Sequence, residues 1–245
     1  MIAWLRLREL RRGAPPMKDV PSSKISALLE GYTRAQSGLM IAALLACWRA
    51  HGAWPAALAA AISGSFLLFK GRGAYTPSGR FGRANAVTCL RLVLVLVLTS
   101  PAKWLDSNLA AALVGLVMAL DLLDGWLARS RGDASAFGAH FDMETDALLV
   151  FVITLRLWLV EGYGAWVLCA GLWRYVYVLA LWLLPGRGRE APRSLLARYA
   201  FVVLIAGLVV GLVSHGGLGL ACTALGTLVV SASFLRSFYF SHATS

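Results

Sequence analysis

The sequence has few charged residues and few cysteines for its length. Of its 245 residues only 14% are charged, whereas 59% are hydrophobic. Soluble domains carry about 25% charged residues, so this chain lacks the polar side chains that would cover a water-exposed surface. Its four cysteines stand singly in apolar stretches, which excludes a disulfide framework and a cysteine-based metal site. A soluble domain, a disordered chain and a secreted disulfide scaffold are therefore excluded.

Basic residues outnumber acidic ones by 23 to 12, which gives a formal net charge of +11. In a nucleic-acid-binding protein such an excess would form a basic face on a polar domain. Here the basic residues stand between apolar runs, which is typical of membrane topology. The sequence therefore predicts a membrane-lipid environment and no nucleic-acid partner.

The apolar runs are long enough to cross a membrane. A bilayer core is about 30 Å thick and needs about 20 apolar helical residues. Six such segments occupy approximately 85–100, 109–128, 138–160, 164–184, 199–214 and 217–235. Upstream, the apolar stretch 37–69 is interrupted at 48–52, which predicts a hairpin of two shorter helices. The expected fold is all-α: a polytopic membrane helical bundle with a six-helix core, an N-terminal hairpin and about eight transmembrane helices.

The positions of Lys and Arg predict which segments are cytoplasmic. If both termini are cytoplasmic, most Lys and Arg residues fall in cytoplasmic segments. The Lys and Arg residues that fall elsewhere are Arg49, Arg91, Lys103, Arg156 and Arg174. The chain then divides into a basic cytoplasmic segment (1–36), the hairpin with a basic loop (37–84), the core (85–235) and a cytoplasmic tail (236–245). Residues 1–13 are expected to form an interfacial helix or a disordered tail. The expected location is the bacterial cytoplasmic membrane.

Two adjacent core segments carry carboxylates at membrane depth. Leu109–Leu120 is only about 18 Å of helix, so the helix must continue through Asp121 and Asp124 to cross. The next helix likewise needs Asp142 and Asp146 to reach the cytoplasmic side. Helical spacing groups each pair on one face, and the short loop 129–137 predicts that the two helices are antiparallel neighbours. All four carboxylates would then face one cavity.

Four unpaired carboxylates within a membrane are costly, at about 2.5–3.5 kcal/mol each. Protonation, pairing with Arg91, Arg129 or Arg174, or binding of cations would each reduce this cost. Two divalent cations would neutralise all four, and carboxylate oxygens are the ligands that Mg²⁺ and Mn²⁺ prefer. A pair of such ions suits displacement at a phosphorus atom.

In order, the residues read Asp121-x2-Asp124-Gly125-x2-Ala128-Arg129-x8-Gly138-x3-Asp142-x3-Asp146. This pattern resembles the signature of the CDP-alcohol phosphatidyltransferase family at all eight fixed positions. Upstream, Asn85-Ala86-Val87-Thr88-x2-Arg91 resembles the entry to the family's first core helix, with Ala84 and Val87 in place of its Pro and Leu.

The resemblance implies transfer of a phosphatidyl group from a CDP-linked donor, CDP-diacylglycerol in the preferred interpretation, to an alcohol, with release of CMP. It implies that Asp121, Asp124, Asp142 and Asp146 bind two divalent cations, Mg²⁺ or Mn²⁺, and that Asp146 is also the base. The donor site would involve Gly125, Ala128, Arg129 and Gly138. Asn85 and Thr88 share a helical face and either belong to the same donor site or cap the start of their helix. The resemblance also implies a homodimer.

The acceptor is open on sequence alone: glycerol phosphate, inositol phosphate, serine or another small alcohol. Arg174, near the middle of its helix, is either a ligand for an anionic acceptor or a structural partner of a motif aspartate. Arg198 is a second acceptor-site candidate. Two other functions are consistent with intramembrane aspartates. A Mg²⁺-dependent prenyltransferase resembles the chain less, because that family has two Asp-rich motifs on helices distant in sequence and this chain has one cluster. A divalent-cation transporter gives no reason for the Gly-x2-Ala-Arg spacing.

Overall fold

The computed structural model describes residues 22–102, 104–130, 134–183, 195–214 and 216–242. These residues form eight α-helices: α1 (Ser22–Ala50), α2 (Trp54–Lys70), α3 (Arg83–Val97), α4 (Ser107–Ser130), α5 (Ala136–Leu159), α6 (Leu168–Leu183), α7 (Leu195–Val213) and α8 (Gly217–His242). A 3₁₀ turn, Ala165–Val167, precedes α6. The prediction of an all-helical polytopic bundle is confirmed.

Three helical stretches are long and apolar enough to cross a membrane by length and composition: Ser107–Ala128, Ala165–Leu183 and Gly217–Tyr239. Two further apolar helices, Trp54–Lys70 and Ala197–Val213, are shorter. Apolar helices of this length are typical of an integral membrane protein.

The first helix begins earlier than the apolar stretch at residue 37. Helix α1 starts at Ser22, and its first half is amphipathic: Leu29 and Tyr32 are buried, whereas Glu30 and Arg34 form an exposed i,i+4 ion pair of 3.6 Å. A turn at 51–53 separates α1 from α2, at the predicted interruption. At the other end of the chain, α8 continues to His242 and so includes most of the expected tail. The proposed interfacial segment 1–13 lies outside the described residues.

Helix α5 is the centre of the bundle. Nearly every side chain from Phe137 to Leu157 is buried, as expected for a helix that is surrounded by others. Helices α1, α3, α6 and α7 pack against it, while α7 and α8 form an extensive pair. Polar side chains on any face of α5 must therefore find partners inside the protein.

Helix α4 has a neighbour that the sequence did not indicate. Helix α3 packs against both α4 and α5, whereas α4 and α5 make little direct contact with each other. The two helices approach each other through side chains, with ligand oxygens of Asp121, Asp142 and Asp146 within 4.8 Å of one another. A basic side chain from α3 lies among these carboxylates.

A second polar cluster connects the start of α4 to the end of α5. Buried Arg156 donates through Nη2 to the carbonyl of Leu105 at 2.6 Å, and its Nε lies 3.4 Å from Glu161 Oε1. The hydroxyl of Ser107 donates to the same carboxylate at 2.9 Å. These contacts hold the start of α4 against the end of α5, far from the motif aspartates.

Candidate metal centre

The motif aspartates lie where the C-terminal part of α4 meets the N-terminal part of α5. As predicted, α4 continues through Asp121 and Asp124 to Ser130. Helix α5 begins after the N-cap residue Ser135, whose hydroxyl accepts a hydrogen bond from the Gly138 amide at 2.9 Å. This start places Asp142 and Asp146 on successive turns of one face. We call these four residues the aspartate cluster.

One arginine contacts the whole aspartate cluster. Arg91 on α3 is fully buried, and its Nη1 lies 3.2 Å from Asp121 Oδ1, 2.7 Å from Asp124 Oδ2 and 2.6 Å from Asp142 Oδ1. Its Nη2 lies 2.5 Å from Asp146 Oδ1. Arg91 therefore joins carboxylates of α4 to carboxylates of α5. The sequence indicated Arg91 only as one of three arginines that would pair with some of these groups.

The aspartate cluster is suited to bind a divalent cation. All four carboxylates are at most 4% exposed. Ligand oxygens from Asp121, Asp142 and Asp146 lie within 4.8 Å of one another. In addition, Asp124 Oδ1 and Asp146 Oδ2 are buried without a hydrogen-bond partner. Buried, unsatisfied carboxylate oxygens at this spacing fit a hard cation such as Mg²⁺ or Mn²⁺.

Helix α3 also contributes Asn85 and Thr88 to this region. The hydroxyl of Thr88 lies 3.1 Å from Asp124 Oδ2, so it supports a member of the aspartate cluster. The side-chain amide of Asn85 donates to the carbonyls of Phe81, at 2.6 Å, and Tyr75, at 3.0 Å. Asn85 therefore connects the start of α3 to the loop before it.

Gly138 lets α3 approach α5 closely. A Cβ atom at this position would lie 2.8 Å from Asn85 Oδ1 and 3.3 Å from Ser135 Oγ, closer than ordinary contacts. The absence of a side chain is thus a packing requirement, independent of any ligand.

The remaining donor-site candidates lie on α4, whereas the acceptor-site candidate Arg198 lies on α7. Gly125 is buried and Ala128 is half-buried, both on α4 beside the aspartate cluster. Arg129 belongs to α4, but its side chain lies outside the described part of the structure. Arg198 is exposed near the start of α7.

Arg174 pairs with a carboxylate that is not among the sequence-based candidates. Its Nη2 donates to Glu144 Oε1 at 2.5 Å, and Glu144 is not one of the motif aspartates. The idea that Arg174 is the structural partner of a motif aspartate is therefore wrong. The reason is geometric: Glu144 is displaced by about 200° around α5 from both Asp142 and Asp146, toward α1 and α6.

Glu144 is the centre of a polar network that the motif did not indicate. Besides Arg174, its Oε1 lies 3.3 Å from the hydroxyl of Thr33 and 3.6 Å from His140 Nε2. His140 also packs edge-on against the ring of Tyr32. The high cost of an unpaired mid-membrane charge, applied to Glu144 and Arg174 together, would have suggested this pair.

Asp146 and Arg174 border one cavity. It is a partly open pocket of about 50 Å³ between α5, α6, α7 and α8, and its other walls are apolar, including Phe201, Leu204 and Phe234. The cavity therefore offers one carboxylate and one guanidinium on an otherwise apolar surface.

The family model described as CDP-alcohol phosphatidyltransferase matches residues 81–235 of the chain. The match extends from just before α3 into α8 and includes the aspartate cluster. No curated protein and no solved structure matches the chain significantly.

Proposed function

The chain belongs to the CDP-alcohol phosphatidyltransferase family, and from that premise we propose that it transfers a phosphatidyl group from CDP-diacylglycerol to an alcohol, releasing CMP, as a step of phospholipid biosynthesis. The family is divalent-cation dependent and uses a CDP-alcohol donor and an alcohol acceptor. The family match favours this reaction over the prenyltransferase and cation-transporter alternatives.

The observation that carries the proposal is the convergence of the aspartate cluster. Four carboxylates from two helices meet around a single buried point, and three of them present oxygens at a spacing suited to a cation. A cluster that served only to join helices would not need four acidic groups around one arginine, because one or two would satisfy its charge. The excess of negative charge supports two divalent cations, Mg²⁺ or Mn²⁺, at this position.

Each side chain of the aspartate cluster has a role in the proposal. Asp121, Asp124, Asp142 and Asp146 hold the cations, which when bound would offset the negative charge of the donor pyrophosphate and of the departing CMP. Asp146 also accepts the proton of the acceptor hydroxyl. The acceptor oxygen forms a bond to the phosphorus that carries the diacylglycerol, the bond from that phosphorus to the CMP oxygen breaks, and CMP leaves with the bonding electrons.

The donor and acceptor sites follow from the family pattern and from burial. We assign the CDP part of the donor to the following residues: Gly125, Ala128, Arg129, Gly138, Asn85 and Thr88. For the acceptor we propose the cavity between Asp146 and Arg174, because a hydroxyl at its carboxylate end and an anionic group at its guanidinium end would both be satisfied. Exposed Arg198 is a second candidate for an anionic acceptor.

The proposal also includes the protein's location and orientation in the membrane and its oligomeric state. Exposed basic residues on the aspartate side, Lys70, Arg72, Arg80 and Arg83, support a cytoplasmic location for this end of the bundle. The donor would then enter from the lipid phase and the small alcohol from the cytoplasm. We place the protein in the bacterial cytoplasmic membrane with both termini inside, and propose a homodimer on the family resemblance alone.

The direct test is product analysis. Purified protein in detergent is incubated with CDP-diacylglycerol, Mn²⁺ and one alcohol at a time: glycerol phosphate, inositol phosphate or serine. The proposal expects CMP and one new phospholipid with a single alcohol, and neither product with chelator. Release of inorganic pyrophosphate from a prenyl donor, or metal flux into liposomes without lipid turnover, would overturn it.

A further inference from the structure

Arg91 occupies the point where the aspartate cluster converges. Its two terminal nitrogens reach all four carboxylates, and its side chain is fully enclosed. A single guanidinium carries one positive charge against four acidic groups. The residue therefore neutralises the cluster only in part, which leaves a strong attraction for further positive charge.

The carboxylate oxygens that Arg91 contacts include those that a cation would need. Mg²⁺ and Mn²⁺ bind oxygen at about 2.1 Å, so ligand oxygens around one ion are about 3–4 Å apart. The oxygens of Asp121, Asp142 and Asp146 already lie within 4.8 Å of one another, and all three residues contact Arg91. A guanidinium and a metal ion cannot both take the position between these oxygens.

We infer that Arg91 is an internal counter-ion that competes with the divalent cation for the aspartate cluster and thereby sets the metal affinity. The inference rests on the proposed function, since it requires the aspartate cluster to bind metal. When no cation is bound, Arg91 keeps α4 and α5 together through α3. When a cation binds, Arg91 gives up oxygens to it, and part of the binding free energy is spent in breaking those ion pairs.

The contacts also indicate the order in which Arg91 releases the four carboxylates when a cation binds. Its contact with Asp121, at 3.2 Å, is the longest of the four, and it is an ion pair without hydrogen-bond geometry. Its contact with Asp124 is supported by the neighbouring hydroxyl of Thr88. Asp124 also lies outside the group of three residues whose oxygens approach within 4.8 Å. Asp121 would therefore be released first and Asp124 last.

The test is a Mn²⁺ titration of the purified protein, with free Mn²⁺ followed by its paramagnetic resonance signal. Arg91→Gln removes the competing charge, and we expect its dissociation constant for Mn²⁺ to be at least threefold lower than that of the wild type. Arg91→Lys keeps the charge but offers a single ammonium group in place of the forked guanidinium, so an intermediate constant is expected. Arg156→Gln is the matched control, since Arg156 is also buried and ion-paired but lies at the other end of α5. We expect its Mn²⁺ affinity to stay within twofold of the wild type.

Thermal unfolding supplies a second measurement that does not depend on turnover. Arg91→Gln leaves four carboxylates without their counter-ion, so its unfolding midpoint should fall most in chelator and recover in saturating Mn²⁺. Arg156→Gln should lower the midpoint equally with and without the metal.

The outcomes separate the inference from the proposed function. If Arg91→Gln binds Mn²⁺ as weakly as the wild type or more weakly, competition is refuted, and Arg91 instead organises the ligands. If this variant does not fold, Arg91→Lys decides in the same way: tighter binding supports the inference, and equal or weaker binding overturns it. If the wild type binds no Mn²⁺ at all, the proposed metal site fails, and the inference fails with it.

Discussion

Replacement of Gly138 by alanine tests whether the close approach of α3 to α5 builds the site. The new Cβ would lie 2.8 Å from Asn85 Oδ1, so Asn85 must retreat by several tenths of an ångström. Asn85 cannot do so freely, because its amide donates to two carbonyls, at 2.6 and 3.0 Å. The substitution therefore strains the contact that holds the start of α3 beside the aspartate cluster.

The expected magnitude follows from three contributions. Overpacking of this kind costs about 1–3 kcal/mol, and loss of one Asn85 hydrogen bond costs about 1 kcal/mol. The better helix propensity of alanine returns about 1 kcal/mol. The net destabilisation is about 2 kcal/mol, which for a chain of this size lowers the unfolding midpoint by roughly 4–8 °C.

The assay is thermal unfolding in detergent, together with turnover of CDP-diacylglycerol. Gly115→Ala on α4 is the matched control, because a Cβ there meets no atom within 4 Å and only the helix propensity changes. Its midpoint should stay the same or rise by about 2–3 °C, with wild-type turnover. If Gly138→Ala unfolds at the wild-type temperature and turns over normally, the close approach is not a constraint and the reasoning is refuted.

Three further predictions concern the chemistry. Asp146→Asn should lower kcat by at least about 100-fold while CDP-donor binding stays measurable, because the base is lost whereas the other three aspartates remain as metal ligands; turnover near that of the wild type would remove Asp146 from this role. Arg174→Gln should raise KM for an anionic acceptor at least fivefold with little effect on the donor, and a change below twofold would contradict its acceptor role. Thr88→Val should weaken Mn²⁺ binding by about tenfold or more, because Asp124 loses a neighbouring hydroxyl; unchanged affinity in a titration would show that Thr88 does not support the ligand.

The helices of the core were predictable because hydropathy reports apolar length directly. The extension of α4 and α5 through the motif aspartates was also predictable, because 12 apolar residues cannot cross a bilayer. The start of α1 at Ser22 was not predictable in this way, because a half-exposed amphipathic segment has too little apolar content to give a hydropathy signal. There the relevant signal was the 3.6-residue spacing of Leu29, Tyr32 and Gln36, which are buried.

The partners within the site were less accessible to sequence reasoning. Spacing along one helix predicts which carboxylates share a face, but not which neighbouring helix lies against that face. The position of Arg91 between α4 and α5 depends on three helices at once, so no local pattern contains it. The pairing of Glu144 with Arg174 joins positions that are 30 residues apart, so the membrane cost of two unpaired charges, and not a local spacing, was the signal for it.

The carbonyl of Tyr75 has a consequence for any shortened form of the protein. It accepts hydrogen bonds from Asn85, at 3.0 Å, and from the N-cap residue Ser135, at 2.6 Å, while the Tyr75 ring packs edge-on against Phe137. Tyr75 lies upstream of residue 81, where the family resemblance begins. Trimming the protein to the family region would thus remove one hydrogen bond from each of two polar side chains at the entrance to α3 and α5. The first two helices and their connecting loop are on this account an integral part of the catalytic unit, and not an accessory membrane anchor.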